Sequence, residues 1–186
     1  TNKRLKASER KRRVIRIRSS INTVRSYEPI TLADLHLLGS IARSDREDFF
    51  QRYPHWSALY SPRLLCVALC QGAALHFADG RNGIEDFDVW NFFSEIPGQP
   101  IRRRRVVSRD FGHPKFGTSA DKPDFVGRRV DLLFKSIACQ PGHSPMLSLQ
   151  QYLTAGRTNT ARCLAAKAVV LIEPVELAGT VAWPKA

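Results

Sequence analysis

Three acids stand where a purely structural strand would carry none. Asp86 and Asp88 alternate with Phe87 and Val89 in Gly83-Ile84-Glu85-Asp86-Phe87-Asp88-Val89-Trp90, and Asp131 sits inside Arg128-Arg129-Val130-Asp131-Leu132-Leu133-Phe134. Successive side chains of a strand point to opposite faces, so Asp86 and Asp88 are expected to share one face while Phe87 and Val89 take the other. Carboxylates enter such apolar surroundings only when paired or metal-bound. Three of them converging would suit Mg²⁺ or Mn²⁺, which take oxygen ligands. Two such ions about 3.5 to 4 Å apart stabilise both oxygens of a phosphoryl transfer. A triphosphate at such a site needs cations around it, and Arg128, Arg129, Lys135 and the run Arg102-Arg103-Arg104-Arg105 are the candidates. The competing reading pairs Asp86 and Asp88 with neighbouring arginines, and Asp131 with Arg128 or Arg129, as plain salt bridges.

The elements that must position these acids follow from pattern and punctuation. Residues 63–74 form a continuous apolar run that fits either a central strand or a buried helix. Asn82-Gly83 is a strong turn signal directly before the Asp86 strand, which is expected to run through Trp90 to Phe93. Upstream, Leu32, Leu35, Leu37 and Leu38 suit a short helix. Ser44 with Glu47 suggests a capping box opening a second one, closed at Pro54. Residues 94–127 break the regular pattern. After Asp131 come a loop at 140–145, a helix at 147–154, a helix capped by Asn159 or Thr160 and running through Lys167, and a short strand or helix end at 168–172 before Pro174. The sum is an α/β (α+β) domain, a mixed β-sheet flanked by helices.

Here the residues resemble the nucleotidyltransferase superfamily with the polymerase-beta-type core. That family carries a Gly-Ser at a helix start, an Asp-x-Asp pair further on, and a third acid in a later strand. The resemblance spans residues 63–135 and sets Gly72 and Ala73 at the Gly-Ser position, Asp86 and Asp88 as the pair and Asp131 as the third acid. It implies a nucleotidyltransferase-like core and metal-dependent transfer of a nucleoside monophosphate from a nucleoside triphosphate to an acceptor. All three acids would ligate Mg²⁺ (or Mn²⁺), with Asp131 also helping to deprotonate the acceptor. Gly72, Ala73, Arg128, Arg129 and Lys135 would bind nucleotide. Ala73 departs from the family serine, which leaves phosphate to backbone N–H groups at the helix N-terminus.

Charge and composition bound the alternatives. Of the formal net charge of +12, residues 1–18 hold nine Lys or Arg against Glu9. Residues 1–27 therefore read as a basic arm ahead of one domain over 28–186. Together with Arg102, Arg103, Arg104 and Arg105, the arm suits nucleic acid or an acidic protein. A non-catalytic nucleic-acid- or partner-binding protein is thus the second reading. A metal-dependent nuclease is the third, disfavoured because Asp131 and Lys135 lack the acid-x-Lys spacing of the commonest nuclease core. No run reaches the roughly 18 apolar residues of a membrane span, and no apolar signal-peptide core follows the basic start, so a cytoplasmic protein without a membrane partner is expected. Cys66, Cys70, Cys139 and Cys163 lack the spacing of a zinc or disulfide framework and read as buried free thiols. His76 and His113 are given no role, the Asp110-Phe111-Gly112 resemblance to a kinase tripeptide is a chance one, and Trp90, Phe92 and Phe93 read as core.

Overall fold

The computed structural model describes residues 24–103 and 107–184. The arm's basic residues 1–18, where a helix or strand is expected at Val14 to Ile17, and Arg104 and Arg105 lie outside them. The chain enters through an isolated bridge between Ser26 and Ile84, so residues 24–27 at the end of the expected arm already pair with the loop that carries the acids. Helix α1 (Leu32–Arg52) follows. Its start is fixed by Thr31, whose hydroxyl accepts the Asp34 N–H while the Asp34 carboxylate accepts the Thr31 N–H at 2.7 Å.

This helix corrects the two-helix expectation. Ser44 and Glu47 lie inside α1, because nothing between Thr31 and Pro54 breaks the periodicity and the working capping box is Thr31/Asp34. Gly39 does not interrupt it either. A Cβ there would meet Ile172 Cγ2 at 3.0 Å, so the missing side chain lets the helix lie close on the sheet. Pro54 opens α2 (Pro54–Tyr60) rather than ending its predecessor.

The ambiguous run at 63–74 is both a strand and a helix start. Strand β1 (Leu64–Cys70) passes directly into α3 (Gln71–Asp79), with Gln71 in the left-handed region at φ 62°. Strand β2 (Phe87–Ser94) starts one residue after Asp86. The irregular stretch holds the short β3 (Val107–Asp110), and then come β4 (Arg129–Ile137), α4 (Pro145–Ala155) and α5 (Asn159–Ala165). Thr158, not Asn159 or Thr160, caps α5 by accepting the Ala161 N–H, and the helix stops before Lys167. Residues 168–172 form part of strand β5 (Ala168–Glu173), and β6 (Val181–Trp183) follows it.

The six strands form one mixed sheet in the order β3-β4-β2-β1-β5-β6. β2 and β4 run parallel, and the remaining pairs are antiparallel. The expected mixed sheet flanked by helices is therefore present. Alternation divides its core between two faces. Val67, Leu69, Phe87, Val89, Val130 and Leu132 pack with Leu35, Leu38 and Ala74 beneath α1 and α3. Cys66, Ala68, Phe92 and Ile137 pack with Leu149, Leu153 and Leu164 beneath α4 and α5. Phe93 and Phe134 form a third, aromatic cluster with Tyr60. Burying each of the Val, Leu, Ile and Phe side chains among them contributes roughly 1.5 to 3 kcal/mol. No helix of the described residues is long and apolar enough to cross a membrane.

Candidate active site

Sheet register brings two of the predicted acids side by side. Asp88 on β2 pairs with Asp131 on β4, so their Cα atoms sit on adjacent parallel strands about 4.8 Å apart. Both belong to the sheet face that α4 and α5 cover farther along, where Phe92 and Ile137 are buried. At Asp88 that cover gives way to a cavity of about 340 Å³ lined by Gln71, Gly72, Asn82, Asp86, Asp88 and Lys167, among others, while Asp131 lies outside its lining. The sequence thus supplies acids on the right face, and the layer above stops short of them.

The neighbourhood sorts the three carboxylates into unequal states. Burial pushes the Asp88 carboxyl up to about 7, with the charges of Asp86 and Asp131 adding to the shift and Arg129 and Lys167 opposing it. Among the described residues the Asp88 carboxylate accepts no hydrogen bond and forms no ion pair. Asp131 is also raised by burial, against a 2.7 Å hydrogen bond from the Ser108 hydroxyl and the charge of Arg129. Asp86 accepts a hydrogen bond from the Arg129 guanidinium, which also reaches Asp121 and places its Nε 3.2 Å from Asp131 Oδ1. That last contact is Coulombic only, since the buried Nε has no aligned acceptor. Arg129 itself is held in the charged form by Asp86 and Asp131, although burial disfavours its charge.

The salt-bridge reading of Asp86 and Asp131 therefore describes part of the site. Arg129 supplies counter-charge to Asp86 and Asp131 while Asp88 is left without a partner. Among the described residues, no group of three or more His, Cys, Asp or Glu side chains closes on one point as a metal site. The donors nonetheless fit a hard divalent cation. They are all carboxylate oxygens, and the partly buried Asp88 carboxylate beside the cavity has no direct partner, only the longer-range charges of Arg129 and Lys167.

The cavity floor is the turn from β1 into α3. Gln71 occupies left-handed space as a non-glycine residue, the kind of backbone strain of about 1 to 3 kcal/mol that concentrates at functional sites. Its side chain donates to the Cys163 carbonyl at 3.0 Å. Gly72 follows, and a Cβ there would stand 3.1 Å from Asn82 Nδ2 and 4.0 Å from Lys167 Nζ. Asn82 Nδ2 donates to the Gly72 carbonyl at 3.0 Å, tying the predicted Asn-Gly turn to the helix start. Ala73 lines the cavity yet is only 2% exposed, and most of it is committed to the core beneath α1 and α3.

Lys167 was not among the predicted site residues. It reaches the cavity because Gln71 bridges Ala168, which places the residue before β5 beside the start of α3. That is a pairing between segments far apart in the chain, and no local pattern announces it. On the nucleotide-binding reading proposed below, Lys167→Gln is expected to weaken nucleoside triphosphate binding by about tenfold, the value of one charge-assisted contact. Calorimetric titration of the triphosphate with Mg²⁺ checks this.

Other predicted residues go elsewhere. Arg128 is 3% exposed, and its guanidinium donates to the Phe116 carbonyl at 3.0 Å and the Val24 carbonyl at 3.1 Å, so it struts loops rather than facing the cavity. Lys135 lies two alternations beyond Asp131 on β4 and lines a second cavity. Arg103 is withdrawn from the expected basic surface: it bonds Asp45 at 2.6 Å and stacks 3.8 Å from the Phe134 ring centroid. Arg102 pairs through its backbone with Lys135.

The residues left without a role behave accordingly. His76 is buried, accepts the Gly83 N–H at Nδ1 and donates from Nε2 to the Glu28 carbonyl, a packed histidine that also braces the loop before Asp86. Asp110 accepts backbone N–H groups of Gly112, Val126 and Gly127 and so staples a loop. All four cysteines are free, but only Cys66 and Cys70 are buried, and burial pushes the Cys66 thiol up to about 12. Phe92 and Phe93 are core, whereas Trp90 is half-buried and forms part of the cavity wall, its ring stacked on Phe92. No protein-family model matches the chain, and neither curated proteins nor solved structures give a significant match.

Proposed function

We propose that this chain is a metal-dependent nucleotidyltransferase. The observation that carries the reading is the juxtaposition of Asp88 with Asp131 across parallel strands, with Asp86 and Asp88 lining a cavity floored by the N-terminus of α3. Asp86, Asp88 and Asp131 would hold Mg²⁺ (or Mn²⁺), which when bound supplies Lewis-acid stabilisation to the phosphoryl oxygens. Lys167 and the first N–H groups of α3 meet the charge of the triphosphate. Ala73 offers no hydroxyl, so the backbone and Lys167 carry that task. Arg129 orients Asp86 and Asp131. Ser108 holds one oxygen of Asp131, leaving the other to take the proton of the acceptor as its oxygen attacks the α-phosphorus and pyrophosphate leaves.

Incubation with Mg²⁺ and each α-labelled triphosphate tests the proposal. Label should pass to an acceptor, or to the protein itself, with the wild type and not with Asp86→Ala/Asp88→Ala; equal labelling by the two would sink it. The Arg129 bridge favours one alternative, a non-catalytic protein on this fold whose acids are already neutralised. That protein would bind nucleic acid or an acidic partner through residues 1–18, with a steep dependence on salt and none on the acids. A nuclease would instead consume nucleic acid with Mg²⁺ and no triphosphate. Free thiols at all four cysteines support a cytoplasmic setting.

A further inference from the structure

A second cavity, of about 430 Å³, opens on the α4 side of the sheet away from the acids. Its size falls in the range of small-molecule sites, roughly 300 to 1,000 Å³. Its walls are mainly apolar and aromatic: Ile137 at the end of β4, Ala138 and Cys139 beyond it, and Tyr152 and Ala155 on α4. The wall is held in shape. Tyr152 Oη hydrogen-bonds Thr158 Oγ1 at 2.9 Å, its ring packs on Phe92 at 6.4 Å, and the Glu95 N–H donates to the Ile137 carbonyl at 2.9 Å.

Three charged side chains line this apolar space, namely Lys135, Arg157 and Glu95. None of them has an ion-pair partner among the described residues. Two cations against one carboxylate leave the lining with a formal charge of +1, which a single anionic group on a ligand would cancel. Apolar walls beside an uncompensated positive charge select an amphipathic molecule, one that buries a hydrocarbon or aromatic body against Tyr152 and Ile137 and sets its anion at Lys135 and Arg157. We propose that this cavity binds a small amphipathic monoanion, a carboxylate or sulfonate on an apolar body. The site stands on its own residues and does not depend on the chemistry assigned to Asp86, Asp88 and Asp131.

Titration of the chain with decanoate below its micelle concentration, followed by ¹H–¹⁵N NMR, tests this. Saturable shifts are expected at the amides of Ile137, Cys139, Tyr152 and Ala155. Lys135→Gln/Arg157→Gln should weaken binding about tenfold, and Glu95→Gln should strengthen it severalfold, a gain that a merely damaged fold would not give. Decylamine, with the same tail and the opposite charge, should give no saturable shifts there. Absence of saturable shifts with decanoate, equal binding of decylamine, or unchanged affinity in the double variant with its spectrum preserved would overturn the proposal.

Discussion

Replacing Asp88 with Asn should make the metal-free protein more stable at pH 8 while abolishing its response to Mg²⁺. Asp88 has an ordinary carboxyl value of 3.8 that the fold raises to about 7. The folded state therefore binds more protons than the unfolded chain between those values, and stability falls as pH rises through that window. Above it the folded protein carries an ionised carboxylate without a partner, at a cost of roughly 2 to 4 kcal/mol. Asn is neutral throughout. We expect Asp88→Asn to melt about 5 °C or more above the wild type at pH 8. The two proteins should converge at pH 4, with the variant's melting temperature varying less between pH 5 and 8. Millimolar Mg²⁺ should raise the wild-type melting temperature at pH 8 and leave the variant unmoved. Calorimetric melts across pH, with and without Mg²⁺, measure all of this; a wild type more stable than the variant at pH 8 without metal would refute the argument.

Arg129→Met should act in the opposite direction. The guanidinium joins Asp86, Asp121 and Asp131, and its loss leaves those carboxylates, with Asp88 beside them, without their directly bonded counter-charge and with Lys167 as the remaining cation that acts on Asp88. Met keeps the apolar stem and removes the charge. The side chain of Arg129 is 25% exposed, so solvent screens part of the loss, and a destabilisation of about 1 to 3 kcal/mol follows, or roughly 5 °C in melting temperature. Because a divalent cation provides the missing charge at the same oxygens, Mg²⁺ should restore more than half of that loss. Its stabilising effect on Arg129→Met should therefore exceed that on the wild type. A variant destabilised equally with and without Mg²⁺ would mean that Arg129 is the only cation these acids are built to hold, and the non-catalytic reading would then stand.

The acid-bearing strands were legible because alternation with apolar residues fixes the face of each side chain wherever one face is buried. Phe87, Val89, Val130 and Leu132 point into one core, and Asp88 and Asp131 necessarily point away from it. Other features needed the tertiary structure. Ser44-x-x-Glu47 has the form of a capping box, but a side-chain cap acts only where the helix ends, and the packing of α1 on the sheet carries the helix through it. Strands β3 and β6, of four and three residues, are too short for periodicity to register. Lys167 joins the site only through the bridge of Ala168 to Gln71. Arg128 and Arg129 are neighbours in sequence, but Arg128, just before β4, turns to loop carbonyls, whereas Arg129, the first residue of β4, reaches the carboxylates.

The proposed function requires that Asp86, Asp88 and Asp131 together hold a divalent cation beside the α3 N-terminus. Electron paramagnetic resonance of Mn²⁺ reads this directly, because bound ion leaves the signal of the free aquo ion. Titration of Mn²⁺ into the wild type at pH 8 should deplete that signal to about one or two ions per chain, with tighter uptake when a nucleoside triphosphate is present. Asp86→Ala/Asp88→Ala, folded by circular dichroism, should leave the signal of free Mn²⁺ intact. Equal uptake by the two proteins, or none by the wild type with triphosphate present, would contradict the account.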